Sequence, residues 1–180
     1  IGVALLMGYR LPQNFNAPYK AKNVGDFWKR WHMSLSSWLK DYLYIPIGGN
    51  RSGSVFSYIS LGLILAIIVL LAGKLILVPV FALLVLIFAL LSRISPAVKR
   101  SIDTNINLML TMLLGGLWHG ASWQFIIWGG LNGVGLVVYK FWRKISPWEK
   151  RNNWLVNLWK IAITFCFITF TRIFFRSESM

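Results

Sequence analysis

The hydrophobic positions of this chain fall into long apolar runs separated by short polar and basic segments. Residues 55–91 and 105–138 each exceed the roughly 20 apolar residues that a transmembrane helix needs, and residues 154–175 match that length as a last span. A single helix over residues 55–91 would reach roughly 55 Å, well beyond the hydrocarbon thickness of a bilayer. We therefore expect a helical hairpin there with Lys74 near its turn, and one long tilted helix is the alternative.

The run from 105 to 138 is interrupted in its middle by glycines and polar residues. This interruption predicts a broken helix or a hairpin, and non-helical backbone at membrane depth is tolerated only where protein buries it or water solvates it. We therefore expect the interrupted segment to border an interior cavity. The interrupting residues are Gly115, Gly116, His119, Gly120, Ser122 and Gln124.

Three further segments complete a single membrane domain over residues 1–180. Residues 1–9 are too few to cross a bilayer and are expected to be the end of a span. Residues 24–45 carry aromatic side chains on one helical face and polar or charged ones on the other, which predicts one amphipathic helix in the membrane interface, capped by Asp26. Residues 92–103 are expected to form a basic loop.

Composition places the chain among integral membrane proteins. Hydrophobic residues make up 57% of its 180 positions, and 19 Lys plus Arg against 5 Asp plus Glu give a net charge of +14. The basic residues cluster between the apolar runs, as they do in cytoplasmic loops, and no nucleic-acid-binding motif accompanies them. We expect an all-α integral protein of the cell membrane with no nucleic-acid partner.

His119 is the leading candidate for chemistry, because an ionisable side chain at membrane depth is costly and often functional. A neutral imidazole can take a proton from a hydroxyl and return it later, which is general-base catalysis. Two alternatives stay open: a hydrogen-bonded packing histidine, and a residue that lines an ion or solute path. The acids lie outside or at the ends of the apolar runs, so no buried carboxylate pair is expected. Two histidines 87 residues apart in the chain do not make a convincing zinc site, so no bound metal is expected either.

The second histidine, His32, lies on the polar side of the predicted amphipathic helix together with Lys29. It is either an ordinary interfacial residue or a second functional group. Lys29 and Arg30 either hold the helix at the membrane surface or receive a phosphate-bearing donor or carrier.

Four ordered motifs resemble the membrane-bound O-acyltransferases. They are LPQNFNAPY at 11–19, FWKRWHMSLS at 27–36, DYLYIPIGGNR at 41–51 and GLWHGA at 116–121. Together with WGGLNG at 128–133 they cover most of the chain, and the most similar branch is the alginate O-acetyltransferase type. Two features depart from the family pattern: the N-terminal helices are absent, so the sequence resembles a C-terminal fragment, and the run 55–91 separates motifs that otherwise lie closer together.

The resemblance implies a multi-helix bundle with interfacial and re-entrant helices around a tunnel. His119 would be the essential catalytic histidine, and His32 would have a supporting or donor-side role. The implied reaction moves an acyl group, most simply acetyl, from a thioester donor such as acetyl-CoA or an acyl carrier on the cytoplasmic side to hydroxyls of an extracytoplasmic polysaccharide. A partner acyltransferase outside the membrane is a further implied partner, and no bound cofactor is implied.

On this hypothesis Trp118 and Trp123 shape the tunnel, while Lys29 and Arg30 meet the donor. Four polar residues would orient the imidazole or bind the acyl carbonyl, or else are packing contacts between helices. The alternatives in function are D-alanyl-type transfer to teichoic acid, a transporter in which His119 lines a proton or solute path, and a scaffold that recruits a soluble transferase. The four polar residues are Asn105, Asn107, Ser122 and Gln124.

Overall fold

The computed structural model describes residues 2–176, in which every regular element is helical. Ile1 and residues 177–180, which the predicted domain includes, lie outside the described residues. A 3₁₀ turn covers Pro18–Lys20 and a π-helical turn covers Lys40–Tyr44. The α-helices are α1 (Gly2–Leu6), α2 (Val24–Arg30), α3 (Met33–Leu39), α4 (Val55–Ala72), α5 (Leu77–Ser92), α6 (Pro96–Leu117), α7 (Trp123–Ile145) and α8 (Trp154–Arg176).

Three of the described helices, α4, α7 and α8, are long and apolar enough to cross a membrane, and α5 is apolar but shorter. Residues 55–91 therefore contain two helices, α4 and α5, and Gly73 ends α4 with a φ of +61°. The prediction of an all-α membrane protein is confirmed.

The predicted basic loop over residues 92–103 is wrong, because α6 begins at Pro96. The Ser95 side chain accepts a hydrogen bond from the backbone N–H of Val98, and proline suits the first helical position, where its missing N–H costs nothing. The break in the second long run falls at residues 118–122, between α6 and α7, and it contains His119.

The single amphipathic helix predicted over residues 24–45 is also wrong, because the chain turns between α2 and α3. His32 has a φ of +46°, in the left-handed region that interrupts a right-handed helix. The preceding loop satisfies the backbone groups that this interruption frees: the Asn14 carbonyl accepts from Met33 N–H, and Asn14 Oδ1 accepts from Ser34 N–H. The cap of α2 is Asn23, which accepts from Asp26 N–H, so the prediction of Asp26 as the cap is wrong as well.

Helices α6 and α7 pack closely because glycines face each other across their contact. A Cβ on Gly129 would lie 2.4 Å from the Met112 carbonyl oxygen, and one on Gly116 would lie 2.3 Å from the Phe125 carbonyl oxygen. Backbones can approach this closely only at residues without a side chain. The crossing lies directly beside the break between the two helices, so it fixes the position of His119.

Asn107 of α6 anchors the chain that leads into α4. Its side chain is fully buried and donates to the carbonyl oxygens of Gly49 at 3.1 Å and Ser52 at 3.0 Å, while its Oδ1 accepts from the Ser57 hydroxyl at 2.9 Å. Since a buried amide is stable only with its partners in place, Asn107 holds the loop that follows the π-helical turn against α6.

Basic residues gather at one end of the bundle. Helices α6, α7 and α8 pack side by side through short connections, so the start of α6, the end of α7 and the start of α8 share one end, and His119 and the last turns of α8 share the other. The basic residues near the first end are Lys99, Arg100, Lys140, Arg143, Lys144, Lys150 and Arg151.

We predict that Gly129→Ala lowers the thermal stability of the full-length protein in detergent, because the new methyl group would overlap the backbone of α6; overpacking of this kind costs about 1–3 kcal/mol. Gly130→Ala is the matched control, since its Cβ would meet Leu113 Cδ2 at an ordinary 3.7 Å. Equal unfolding temperatures for the two variants would contradict the close crossing.

Candidate functional site

A cavity of about 620 Å³ lies between the α2–α3 segment and helices α6, α7 and α8, and both histidines line it. The sequence pattern predicts His32 on the polar face of an interfacial helix. In the structure the chain turns at His32, and residues of both α2 and α3 line the cavity. Its other lining residues are Trp28, Lys29, Trp31, Leu35, Ser36, Leu39, Lys40, Tyr44, Leu108, Thr111, Met112, Gly115, Trp128, Leu136, Arg172, Phe175 and Arg176.

The His119 imidazole is surrounded by aromatic rings. The ring centroids of Trp118, Phe175 and Trp128 lie 4.9, 5.1 and 5.3 Å from its own, each nearly perpendicular to it. Its backbone N–H donates to the Gly116 carbonyl oxygen and continues the last turn of α6. The rings fix the orientation of the imidazole by packing, which leaves its nitrogens available to a molecule in the cavity.

The surroundings of His32 differ from those of His119. Its Nδ1 is buried and has no hydrogen-bond partner among the described residues, and its ring lies 6.0 Å from that of Phe15. A buried nitrogen that carried a proton without an acceptor would cost free energy, so this environment favours the tautomer with the proton on Nε2.

The polar lining of the cavity is cationic. Lys29, Lys40, Arg172 and Arg176 line it, and none of the described acids does. Tyr44 adds a neutral hydroxyl: burial raises the pKa of this phenol, which stays protonated and donates to Asn50 Oδ1 at 2.8 Å.

Lys29 and Arg30, predicted together on the donor side, are separated by the structure. Lys29 lines the cavity, whereas Arg30 does not. The Arg30 side chain forms an ion pair at 2.9 Å with Asp26, which lies one helical turn earlier, and this pair stabilises α2.

None of the four predicted polar orienting residues hydrogen-bonds to His119. Asn107 anchors the loop described above, and Asn105 accepts from Lys140 Nζ at 2.9 Å. The Ser122 hydroxyl caps α7, accepting from the Gln124 N–H and donating to Gln124 Oε1. The structure thus gives these four residues helix-capping and packing contacts, which is one of the two interpretations that the sequence left open.

Trp118 and Trp123 do not line the cavity and are 59% and 39% exposed. Their role in shaping a tunnel stays a prediction, and Trp118 contacts the edge of the imidazole. Sequence reasoning missed Trp128, Phe175 and Arg172. Trp128 shares the run 105–138 with His119 but lies beyond the break, in α7, while Phe175 and Arg172 lie in the last span. The polar character of Arg172 near the end of an apolar span was the one available signal.

Among residues 2–176 no group of His, Cys, Asp and Glu side chains is arranged to hold a metal ion. The described residues bring two imidazoles, aromatic rings and cations to the cavity, which together suit proton transfer beside an anionic or polar molecule.

The sequence matches the model of the membrane-bound O-acyltransferase family over residues 1–93 and 95–177, and the chain belongs to this family. Among curated proteins it is 34% identical to the peptidoglycan O-acetyltransferase of Helicobacter pylori and 35% identical to the probable alginate O-acetylase AlgI of Pseudomonas syringae pv. tomato, over 100% of this chain and 25% of each relative. It is 31% identical to the teichoic acid D-alanyltransferase of Bacillus subtilis, over 94% of this chain and 33% of that protein. The chain thus spans about a quarter to a third of the length of these relatives, and the predicted family membership is confirmed.

The cationic lining gives a prediction for cysteine labelling in the full-length protein with Cys166 replaced by Ala. At Ser36→Cys, a negatively charged methanethiosulfonate is expected to react several-fold faster than a positively charged one, because Ser36 lines the cavity together with four cations and none of the described acids. Ser37→Cys is the matched control, since Ser37 is exposed and does not line the cavity. Equal charge preference at the two positions would contradict a cationic cavity.

Proposed function

We propose that this chain carries the catalytic centre of a membrane-bound O-acyltransferase that moves an acetyl group from a thioester donor to a hydroxyl of an extracytoplasmic polysaccharide. The observation that carries this proposal is that His119 and His32, from two separate family motifs, line one cavity. The names of the relatives that match all of the chain favour acetyl as the acyl group, and D-alanyl transfer is the second candidate on the same chemistry.

In the proposed reaction His119 is the general base. Its neutral ring nitrogen takes the proton of the acceptor hydroxyl as the oxygen attacks the thioester carbonyl carbon. The C–S bond then breaks, and the leaving sulfur takes the proton from the imidazolium, so that an ester and a free thiol leave the site. The aromatic rings around His119 hold the imidazole in place and keep water away from the thioester.

His32 supports the reaction as a hydrogen-bond donor. With its proton on Nε2, the ring can donate to the carbonyl oxygen of the thioester, on which negative charge develops during attack. Removing one such donor costs on the order of 10²–10³ in rate in other enzymes. This role accounts for two histidines that line one cavity in different packing environments.

The donor and acceptor enter this cavity from opposite ends. Basic loops favour the cytoplasm, which places the start of α6 on that side and His119 near the other. Leu108 lines the cavity roughly 14 Å before the end of α6, so the cavity extends from His119 toward the basic end of the bundle. We assign the end at Leu108 to a thioester donor such as acetyl-CoA or an acyl carrier, and the end near Arg172 to the acceptor or a partner acyltransferase. The protein then lies in the cytoplasmic membrane with several spans.

We predict that His119→Ala lowers acetyl transfer by at least 10²-fold in membranes that contain the full-length protein, because the general base is lost. Transfer is measured as radiolabelled acetyl incorporated into polysaccharide at matched expression. Gln124→Ala is the control and is expected to retain near-normal transfer, since the Gln124 side chain accepts its hydrogen bond from the Ser122 hydroxyl that caps α7, and Gln124 does not line the cavity. Full transfer by His119→Ala would indicate a scaffold, and solute accumulation without labelled product would indicate a transporter.

We also predict that His32→Asn lowers transfer by at least tenfold while the unfolding temperature stays unchanged. Asparagine tolerates the left-handed backbone at this position, so the variant removes the reach of the imidazole without straining the turn. Both quantities are measured on the same purified full-length protein. Transfer equal to that of the unaltered protein would show that His32 only packs.

A further inference from the structure

A second cavity of about 500 Å³ lies between α7, α8 and residues 22–24 at the start of α2. Val134 and Val138 of α7 line it, whereas Leu136, which lies between them in the chain, lines the histidine cavity. Because residues four apart share a helical face and residues two apart do not, the two cavities lie on different faces of α7. We call the second cavity the α7–α8 cleft, and the reaction proposed at His119 makes no use of it.

The wall of the α7–α8 cleft is apolar and opens on the outside of the described bundle. Val138 and Ile163 line it and are 58% and 51% exposed. Phe167 closes its inner end by packing on Gly135, where a Cβ would lie 2.5 Å from the ring. An apolar cleft on the outer face of spanning helices is accessible to the lipid around the protein.

The depth of the cleft matches one leaflet of a bilayer. From Trp142 to Val134 α7 rises roughly 12 Å, and from Trp159 to Phe167 α8 rises by the same amount. The hydrocarbon core of a bilayer is about 30 Å thick, so one leaflet accounts for about 15 Å. The cleft therefore suits an acyl chain, whereas a further transmembrane helix packed here would need a groove along the whole span.

The mouth of the cleft lies at the basic end of the bundle and is lined by tryptophans. Trp142, Trp148 and Trp159 line it and are 51%, 48% and 62% exposed. Tryptophan is enriched where the hydrocarbon core meets the headgroups, because its ring is apolar and its N–H is polar. The three rings therefore place the mouth at the level of the lipid headgroups.

Two cations at this mouth have no acidic partner. Lys22 lines the cleft, and the Arg151 guanidinium carbon lies 5.4 Å from the centroid of the Trp148 ring, which also lines it. Neither cation forms an ion pair with an acid in residues 2–176. An anionic group at the mouth would be the counter-charge for both.

The one acid among the described residues that line the cleft is already engaged. Glu149 accepts a hydrogen bond from the Tyr139 hydroxyl and forms an ion pair with Lys160 at 3.7 Å. Lys160 Nζ also donates to the Glu149 carbonyl oxygen at 3.0 Å. Glu149 thus compensates Lys160, and the positive charge of Lys22 and Arg151 remains.

We infer that the α7–α8 cleft binds an anionic phospholipid of the cytoplasmic leaflet, with an acyl chain between α7 and α8 and its phosphate between Lys22 and Arg151. Basic loops favour the cytoplasmic side, where the leaflet carries negative charge, and basic pockets between transmembrane helices on that side bind anionic headgroups. The lipid links the start of α2 to α7 and α8. This site goes beyond the proposed function and does not depend on the reaction at His119.

The test measures the binding of dioleoylphosphatidylglycerol and dioleoylphosphatidylcholine, which carry the same acyl chains, to full-length protein in detergent by native mass spectrometry. The unaltered protein is expected to bind phosphatidylglycerol about 10-fold to 30-fold more tightly, because each basic residue near the headgroup favours the anionic lipid by a few-fold. The double variant Lys22→Gln/Arg151→Gln is expected to bind the two lipids about equally.

Lys99→Gln/Arg100→Gln is the matched control, because it removes the same charge at the same end of the bundle from residues that do not line the cleft. It is expected to keep the preference for phosphatidylglycerol. Val138→Trp fills the cleft and is expected to weaken binding of both lipids several-fold. Leu158→Trp, at an exposed position of α8 outside the cleft, is expected to leave both affinities unchanged. Thermal unfolding verifies that each variant is folded.

A preference for phosphatidylglycerol that falls equally in the two double variants overturns the inference, because it would reflect the overall surface charge. Unchanged affinity of Val138→Trp for phosphatidylglycerol also overturns it, since a lipid bound elsewhere, or a segment of the full-length protein that occupies the cleft, would give that result. Glycerol phosphate, which has the phosphate and no acyl chain, is expected not to displace the lipid at equal concentration. Displacement would indicate a site for free phosphate and would overturn the assignment to a lipid.

Discussion

The close crossing of α6 and α7 is the constraint on which the candidate site depends. Gly116 and Gly129 let the two helix backbones meet directly beside the break that contains His119. The crossing sets where the imidazole lies relative to Trp128 on α7 and, through the packing of α7 on α8, relative to Phe175. The aromatic surroundings of the histidine thus follow from two positions that carry no side chain.

The sequence predicted the long elements well, because membrane spans depend on local hydrophobicity and length. The break around His119 was also predictable, since glycines and polar residues interrupt an otherwise apolar run. The turn at His32 was not, because helical periodicity continues through it. What ends α2 there is the loop at Asn14, which pairs with the backbone after His32, and a pattern along the chain does not reveal such a distant partner.

The candidate site was predictable only in part, because the sequence shows which residues are neighbours along the chain and not which are neighbours in space. The family motifs singled out both histidines, which line one cavity, but they could not say which polar residues beside His119 in the chain lie beside it in space. Asn107 is close in sequence to the break, yet it faces the loop before α4. Arg172 is distant in sequence, yet its guanidinium is stacked on Trp31, next to His32. Which helical face meets which neighbour is decided by packing of the whole bundle.

The attachment of the α4–α5 hairpin has an evolutionary consequence. Within this chain the hairpin is joined to the rest near one end, where Ser57 bonds Asn107 and Tyr58 donates to Asp103 at 2.7 Å; Ser57 is the one buried residue of α4, and α5 has none. Selection acting within this part of the protein constrains the tether far more than the apolar length beyond it. Exchanges of one apolar residue for another in the hairpin beyond Tyr58 are therefore expected to accumulate during evolution without disturbing the two histidines.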